Sequence, residues 1–188
     1  GHGITGFRTQ QIGIAVTLNR QTEYTPVLSV NMESVPLVTT LTVSLRFVIG
    51  VAAAVVATVA MDLVMARLPE GETPPFVAAG VLTDSAPQHA PDRLANVVHY
   101  IAGWLTGPLF VWMLLTSEGL VGGQSILATV LATAVLYALM VGFFVFVVLP
   151  RSRLASVRTA DIRRDWAISA AAYLLVLVPV VALGSRLV

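Results

Sequence analysis

F-V-I-G-V-A-A-A-V-V-A-T-V-A-M-D-L-V-M-A, residues 47–66, is a run of 20 residues that are all small or apolar except Thr58 and Asp62, with Arg46 before it and Arg67 after it. A helix of about 20 apolar residues crosses the hydrocarbon core of a bilayer, whereas a spanning strand needs only about half that length. Moving outward, residues 94–117 and 119–150 contain no Asp, Glu, Lys or Arg. Over all 188 residues the hydrophobic share is 56% and the charged share 11%, against roughly a quarter charged in an ordinary soluble domain. No soluble fold covers so much apolar surface, so the chain reads as an all-α, polytopic membrane protein with four transmembrane helices in a bundle.

The spans are expected at about 37–66, 94–116, 124–149 and 166–187, forming one transmembrane domain over 37–188. Residues 1–36, with Arg8, Arg20, Glu23 and Glu33, read as a poorly ordered polar tail. Arg46 and Arg67 are placed to snorkel to the two interfaces of the first span. Pro108 and Pro179 fall inside the second and fourth spans, where membrane helices tolerate them. S-E-G-L-V-G-G at 117–123 is expected to be a tight turn. The connection 68–93 has an apolar centre, F-V-A-A-G-V-L, expected to rest on the membrane surface or dip into it.

All 11 basic residues are arginines. Five of them, Arg151, Arg153, Arg158, Arg163 and Arg164, crowd the connection 150–165. The positive-inside rule puts that connection in the cytoplasm and both termini outside a cell membrane crossed several times. The same arginines are expected to lie against anionic lipid headgroups.

Composition also removes whole classes of chemistry. With no cysteine there is no disulfide, zinc thiolate or thiol catalysis. With no lysine there is no retinal-type Schiff base. A net charge of +1 gives no field for nucleic acid. No P-loop, dinucleotide fingerprint, haem-ligand pair or metal-ligand spacing is present, so no cofactor and no metal is expected; His89, beside Asp84, Asp92 and Glu72, lacks the regular spacing of a metal site.

Asp62 raises the sharpest question. Stepping back from it by fours gives Thr58, Ala54 and Gly50, a ridge of small residues of the kind that lets membrane helices approach closely. The second span repeats the device in H-Y-I-A-G-W-L-T-G, where His99, Gly103 and Gly107 also recur every four residues. Asp62 lies five residues inside Arg67 and His99 six inside Arg93, about 7.5 and 9 Å at 1.5 Å per residue. Both ionisable groups therefore sit at matched depth below one face and are expected to approach each other. The bland reading is a structural pin between two helices. The sharper one is a ligand or proton site, with Thr58 and Tyr100 as further members.

A-T-V-A-M-D-L-V-M and V-V-H-Y-I-A-G-W-L-T-G-P-L-F resemble a loose group of small, four-span prokaryotic membrane proteins of unknown function. In that group a Met-Asp pair in the first helix and a His-Tyr followed by glycine in the second recur, corresponding here to Met61, Asp62, His99, Tyr100 and Gly103. The resemblance implies a four-span fold and supplies no reaction.

Three functions fit the sequence. One is binding or conduction of a small solute, ion or proton near Asp62 and His99, by a homo-oligomer, since four short helices enclose little volume. A solute path of this kind requires Thr58, Thr106, Gln124 or Thr133 to face one cavity. The second is an accessory subunit docking another membrane protein through outward-facing small residues. The third is a membrane enzyme acting on lipid or quinone, with Asp62 and His99 as acid and base and a lateral opening beside His99.

Overall fold

The computed structural model describes residues 34–154 and 156–187. The expected tail lies outside these residues except at its last three positions, which are already helical. Regular structure among the described residues is entirely helical: α1 (Ser34–Met65), α2 (Thr73–Leu82), α3 (Asp92–Val121), α4 (Ile126–Phe143) and α5 (Thr159–Gly184), with short 3₁₀ turns between some of them. Four of these segments are long and apolar enough to cross a membrane, all but α2. α1 packs chiefly on α5 and α3, and α4 on α3 and α5, so α1 and α4 stand on opposite corners of a four-helix bundle. Ile126, Leu127, Val130 and Phe146 are among the large apolar side chains left exposed on its outside, the outward belt that a lipid solvent calls for.

The α1–α3 seam keeps one register along its whole length. Each four-residue step back along α1 from Asp62 meets a four-residue step forward along α3 from His99, pairing Thr58 with Gly103, Ala54 with Gly107 and Gly50 with Val111. The seam leaves no room for side chains at its glycines. A Cβ on Gly107 would collide with the Gly50 carbonyl oxygen, and one on Gly103 would stand 2.5 Å from Thr58 Oγ1. Gly50, Ala54, Gly103 and Gly107 thus face inward, joining two helices of the same chain, and are not an outward docking face.

Several connections differ from the sequence reading. α3 continues through S-E-G-L to Val121, and the turn shrinks to residues around Gly122 and Gly123, whose φ values of 85° and 138° suit glycine. Ser125 then caps α4, its hydroxyl accepting the Ala128 N–H at 3.1 Å. α5 begins seven residues before Trp166, because Ile162, Asp165, Ser169 and Tyr173 recur at helical spacing and are all buried. The arginine-rich connection is consequently α-helical from Thr159 onward. F-V-A-A-G-V-L is helical and packed on the bundle. It forms α2, packed on α3, with Val77 in a cluster with Phe144, Leu149 and Ile162.

After Phe143 the third span widens into a π-helical stretch, Phe144–Val148. Pro150 explains it. Proline has no N–H to offer the Phe146 carbonyl and its ring crowds that carbonyl, so the ladder shifts and Leu149 N–H bonds Phe144 O instead. The Val147 carbonyl is taken by the Arg151 guanidinium.

Candidate functional site

At the end of the bundle where α1 finishes, His99 Nε2 lies 2.7 Å from Asp62 Oδ1, and the Tyr100 hydroxyl donates to Asp62 Oδ2 at 3.1 Å. A carboxylate only accepts, so the Nε2 proton belongs to this bond. The Asp62 side chain is 33% exposed and His99 10%. Asp62 therefore reaches the rim of the bundle while His99 is turned inside. The imidazole's other nitrogen, Nδ1, has no hydrogen-bond partner among the described residues and is not sealed from solvent-sized space. Thr58, the fourth candidate, stands apart: it is buried under Gly103 with its hydroxyl spent on the Ala54 carbonyl at 2.8 Å.

His99 lines a cavity of about 230 Å³ enclosed by all five helices. Its floor is α2 through Pro74, Pro75 and Ala78, and its far wall is α4, the π-helical stretch after it and α5, through Met140, Phe144, Val148, Trp166 and Tyr173. Nearly every polar group in the wall is already committed to backbone. Tyr173 O–H donates to Gly103 O at 2.6 Å, Trp166 Nε1–H to Met140 O at 3.1 Å and Thr106 O–H to Ala102 O at 2.7 Å. His99, whose Nδ1 has no hydrogen-bond partner among the described residues, is the one titratable lining residue not bonded to backbone in an otherwise largely apolar chamber. Two of the lining residues, Ala102 of α3 and Phe143 of α4, are exposed, so the mouth lies between those helices on the flank of the bundle.

The groups a solute path requires do not converge on this chamber. Thr106 lines it, but Gln124 belongs to a recess at the opposite end, and Thr133 bonds the Thr129 carbonyl of its own helix at 2.7 Å.

That opposite end holds a polar cluster the sequence reading missed. Arg46 does not snorkel. It is 4% exposed and grips Glu118 with both terminal nitrogens at 2.7 and 2.6 Å, while its Nε–H donates to Ser185 at 3.1 Å. The seam register would pair Arg46 with Leu115, and a long side chain reaches Glu118 one turn further on. Arg46 and Asp62 are 16 residues apart, about 24 Å along a helix, so two polar layers bound an apolar slab close to the roughly 30 Å of a bilayer core.

The arginine-rich segment is partly tied down by acidic partners. Arg158 holds both oxygens of Glu70 at 2.8 and 2.7 Å, and Arg153 meets Asp84 at 2.7 Å. Arg163 and Arg164 are exposed on α5. Asp165, also missed, is buried and accepts the Glu70 N–H at 2.8 Å. Arg158 keeps the Glu70 carboxyl below its ordinary range by direct hydrogen bonding, against a smaller opposing effect of burial. No three His, Asp or Glu side chains gather as a metal site among the described residues.

No family model matches this chain, and no curated protein or solved structure does either. The geometry alone carries the functional reading.

Proposed function

We propose that this membrane protein binds a small lipophilic molecule carrying a single polar group, held in the chamber beside His99. The observation behind this is the chamber's chemistry: an apolar, aromatic-sided volume lined by His99, with exposed lining residues on the flank of the bundle. Small-molecule sites have this character, mostly apolar with a few placed polar groups. An engineered apolar cavity of about 150 Å³ takes up benzene, so about 230 Å³ accepts a substituted ring. Sealed and empty, a void of this size would cost about 5 kcal/mol at roughly 24 cal/mol per Å³, which favours occupation from the membrane. Conduction of ions or solutes loses support because the required hydroxyl and amide groups do not share a cavity. Docking through the small-residue ridges loses its basis because those ridges are consumed in the α1–α3 seam.

The test uses Trp166, which lines the chamber. In a Trp104→Phe, Trp112→Phe background, both positions being exposed, Trp166 is the remaining tryptophan. A short-chain ubiquinone titrated into the protein in phosphatidylcholine nanodiscs should quench it saturably. Ala78→Phe, which fills the chamber from α2, should abolish saturation, and His99→Gln should weaken binding severalfold, the scale of about 1 kcal/mol for one net hydrogen bond. Quenching that rises without saturation and is indifferent to Ala78→Phe would mean simple partitioning into lipid and would refute the reading.

A further inference from the structure

The chamber has a direction as well as a volume, and the direction narrows what it holds, given its reading as a ligand site. His99, Ala102 and Thr106 of α3 line it in succession. Counted from Arg93, His99 lies six residues in and Thr106 thirteen, about 9 and 20 Å at 1.5 Å per residue. Half of a hydrocarbon core is about 15 Å thick, so His99 stands near one interface and Thr106 near the midplane. The Thr106 hydroxyl is spent on the Ala102 carbonyl, which leaves the deeper end apolar. The mouth lies between these depths. Its edges, Ala102 and Phe143, stand nine residues from Arg93 and eight from Arg151, about 12–14 Å below the arginines. That is acyl-chain depth. At this level α4 is fastened to α5: Trp166 and Tyr137 donate to the Met140 and Ala167 carbonyls, and the Trp166 ring meets Phe144 with centroids 4.8 Å apart. The opening therefore falls on the other side of α4, toward α3. The end of the chamber nearest the loops is covered by α2, which is pinned at both ends, before it by Arg158 on Glu70 and after it by Arg153 on Asp84.

We propose that the ligand is a tailed amphiphile of the bilayer leaflet on this side, its ring seated at the depth of His99 and its apolar tail leaving between Ala102 and Phe143 into the surrounding acyl chains. Two features of the chamber support this. Its polar end faces the interface and its apolar end the midplane, the orientation an amphiphile already has in a leaflet, so such a molecule enters from the side without turning over. Its volume of about 230 Å³ takes a ring and not a long tail as well, so a tail has to pass through the mouth, and at that depth only an apolar one stays there at no cost. A water-soluble ligand would instead have to pass α2 and its two ion pairs.

Ubiquinones that share one ring and differ only in their isoprenoid tail test this. Quenching of Trp166 is read in the Trp104→Phe, Trp112→Phe background, on the full chain in phosphatidylcholine nanodiscs, with affinity expressed per quinone dissolved in the lipid. Tailless, short-tailed and long-tailed quinones should all saturate, with affinities within about threefold of one another. Ala102→Leu, which narrows the mouth, should weaken the long-tailed quinone about tenfold, the scale of one overpacked contact, and the tailless one by no more than about twofold. Leu105→Phe, on the exposed outer face of α3, should change neither. Saturable binding of the tailless quinone alone, or an equal effect of Ala102→Leu on all three, would overturn the tail path while leaving the chamber a ligand site. Absence of saturable binding by any of the three would overturn both.

Discussion

Arg46 and Asp62 lie on one helix, each a lone charge in an apolar run, and their surroundings give them different stakes. Arg46 is buried with Glu118, so removing one partner strands a charge. Glu118→Gln should cost about 3–5 kcal/mol, read as thermal unfolding in detergent, and Arg46→Met with Glu118→Leu should recover most of it. Asp62 reaches the rim, and polar contacts within membrane bundles average only about 0.6 kcal/mol. A double-mutant cycle of Asp62→Asn and His99→Gln should therefore give a coupling below about 1 kcal/mol, and strictly additive effects would mean that the contact carries no energy. These two pairs also show what was legible. Asp62 and His99 could be matched because each stands at a countable distance from an arginine and heads a small-residue ridge. Arg46 misled because sequence position gives a charge its depth in the membrane and not its direction, so a bracket of arginines reads as snorkelling whether the side chain turns out or in.

Among the elements, α2 was hidden by its own composition. Its 10 residues form a short helix, apolar after Thr73 and with prolines at the next two positions, so they carry no periodic face, and their helix is stabilised by what they pack against. The chamber was hidden for a related reason. Its floor is α2, and part of its wall is the π-stretch that Pro150 imposes, a tertiary consequence no periodicity announces. α2 is anchored through Glu70, which joins Arg158, Thr73 and Asp165 of α5. Because Glu70 ionises more readily in the folded protein, its contribution is complete above the unfolded value near 4.5 and is lost as pH falls through the lower folded value. Hydrogen exchange over Thr73–Leu82, corrected for intrinsic rates, should accelerate in that acid window and not between pH 6 and 8. Arg158→Gln should bring the acceleration to higher pH, and an unchanged profile would show that the Glu70 contact does not hold α2.

The molecule as a whole is an apolar slab between two polar layers, with four spans whose existence and order the charge-free runs made plain. Orientation is a separate matter, resting on the arginine excess at one end. Cysteines introduced into this cysteine-free chain at Val157 and Leu120, both exposed, should differ in intact cells: an impermeant maleimide should modify Leu120→Cys and spare Val157→Cys, and the opposite pattern would invert the assigned topology. The central claim is that the chamber receives a ligand. It meets its most direct test in a structure of the protein determined with a brominated naphthoquinone, where bromine can be located by anomalous scattering and no thiol is present to react. The expected result is bromine among Ala78, Met140 and Phe144, with the quinone ring beside His99. Bromine found only on the outer, lipid-facing surfaces of the helices, with the chamber empty, would contradict it.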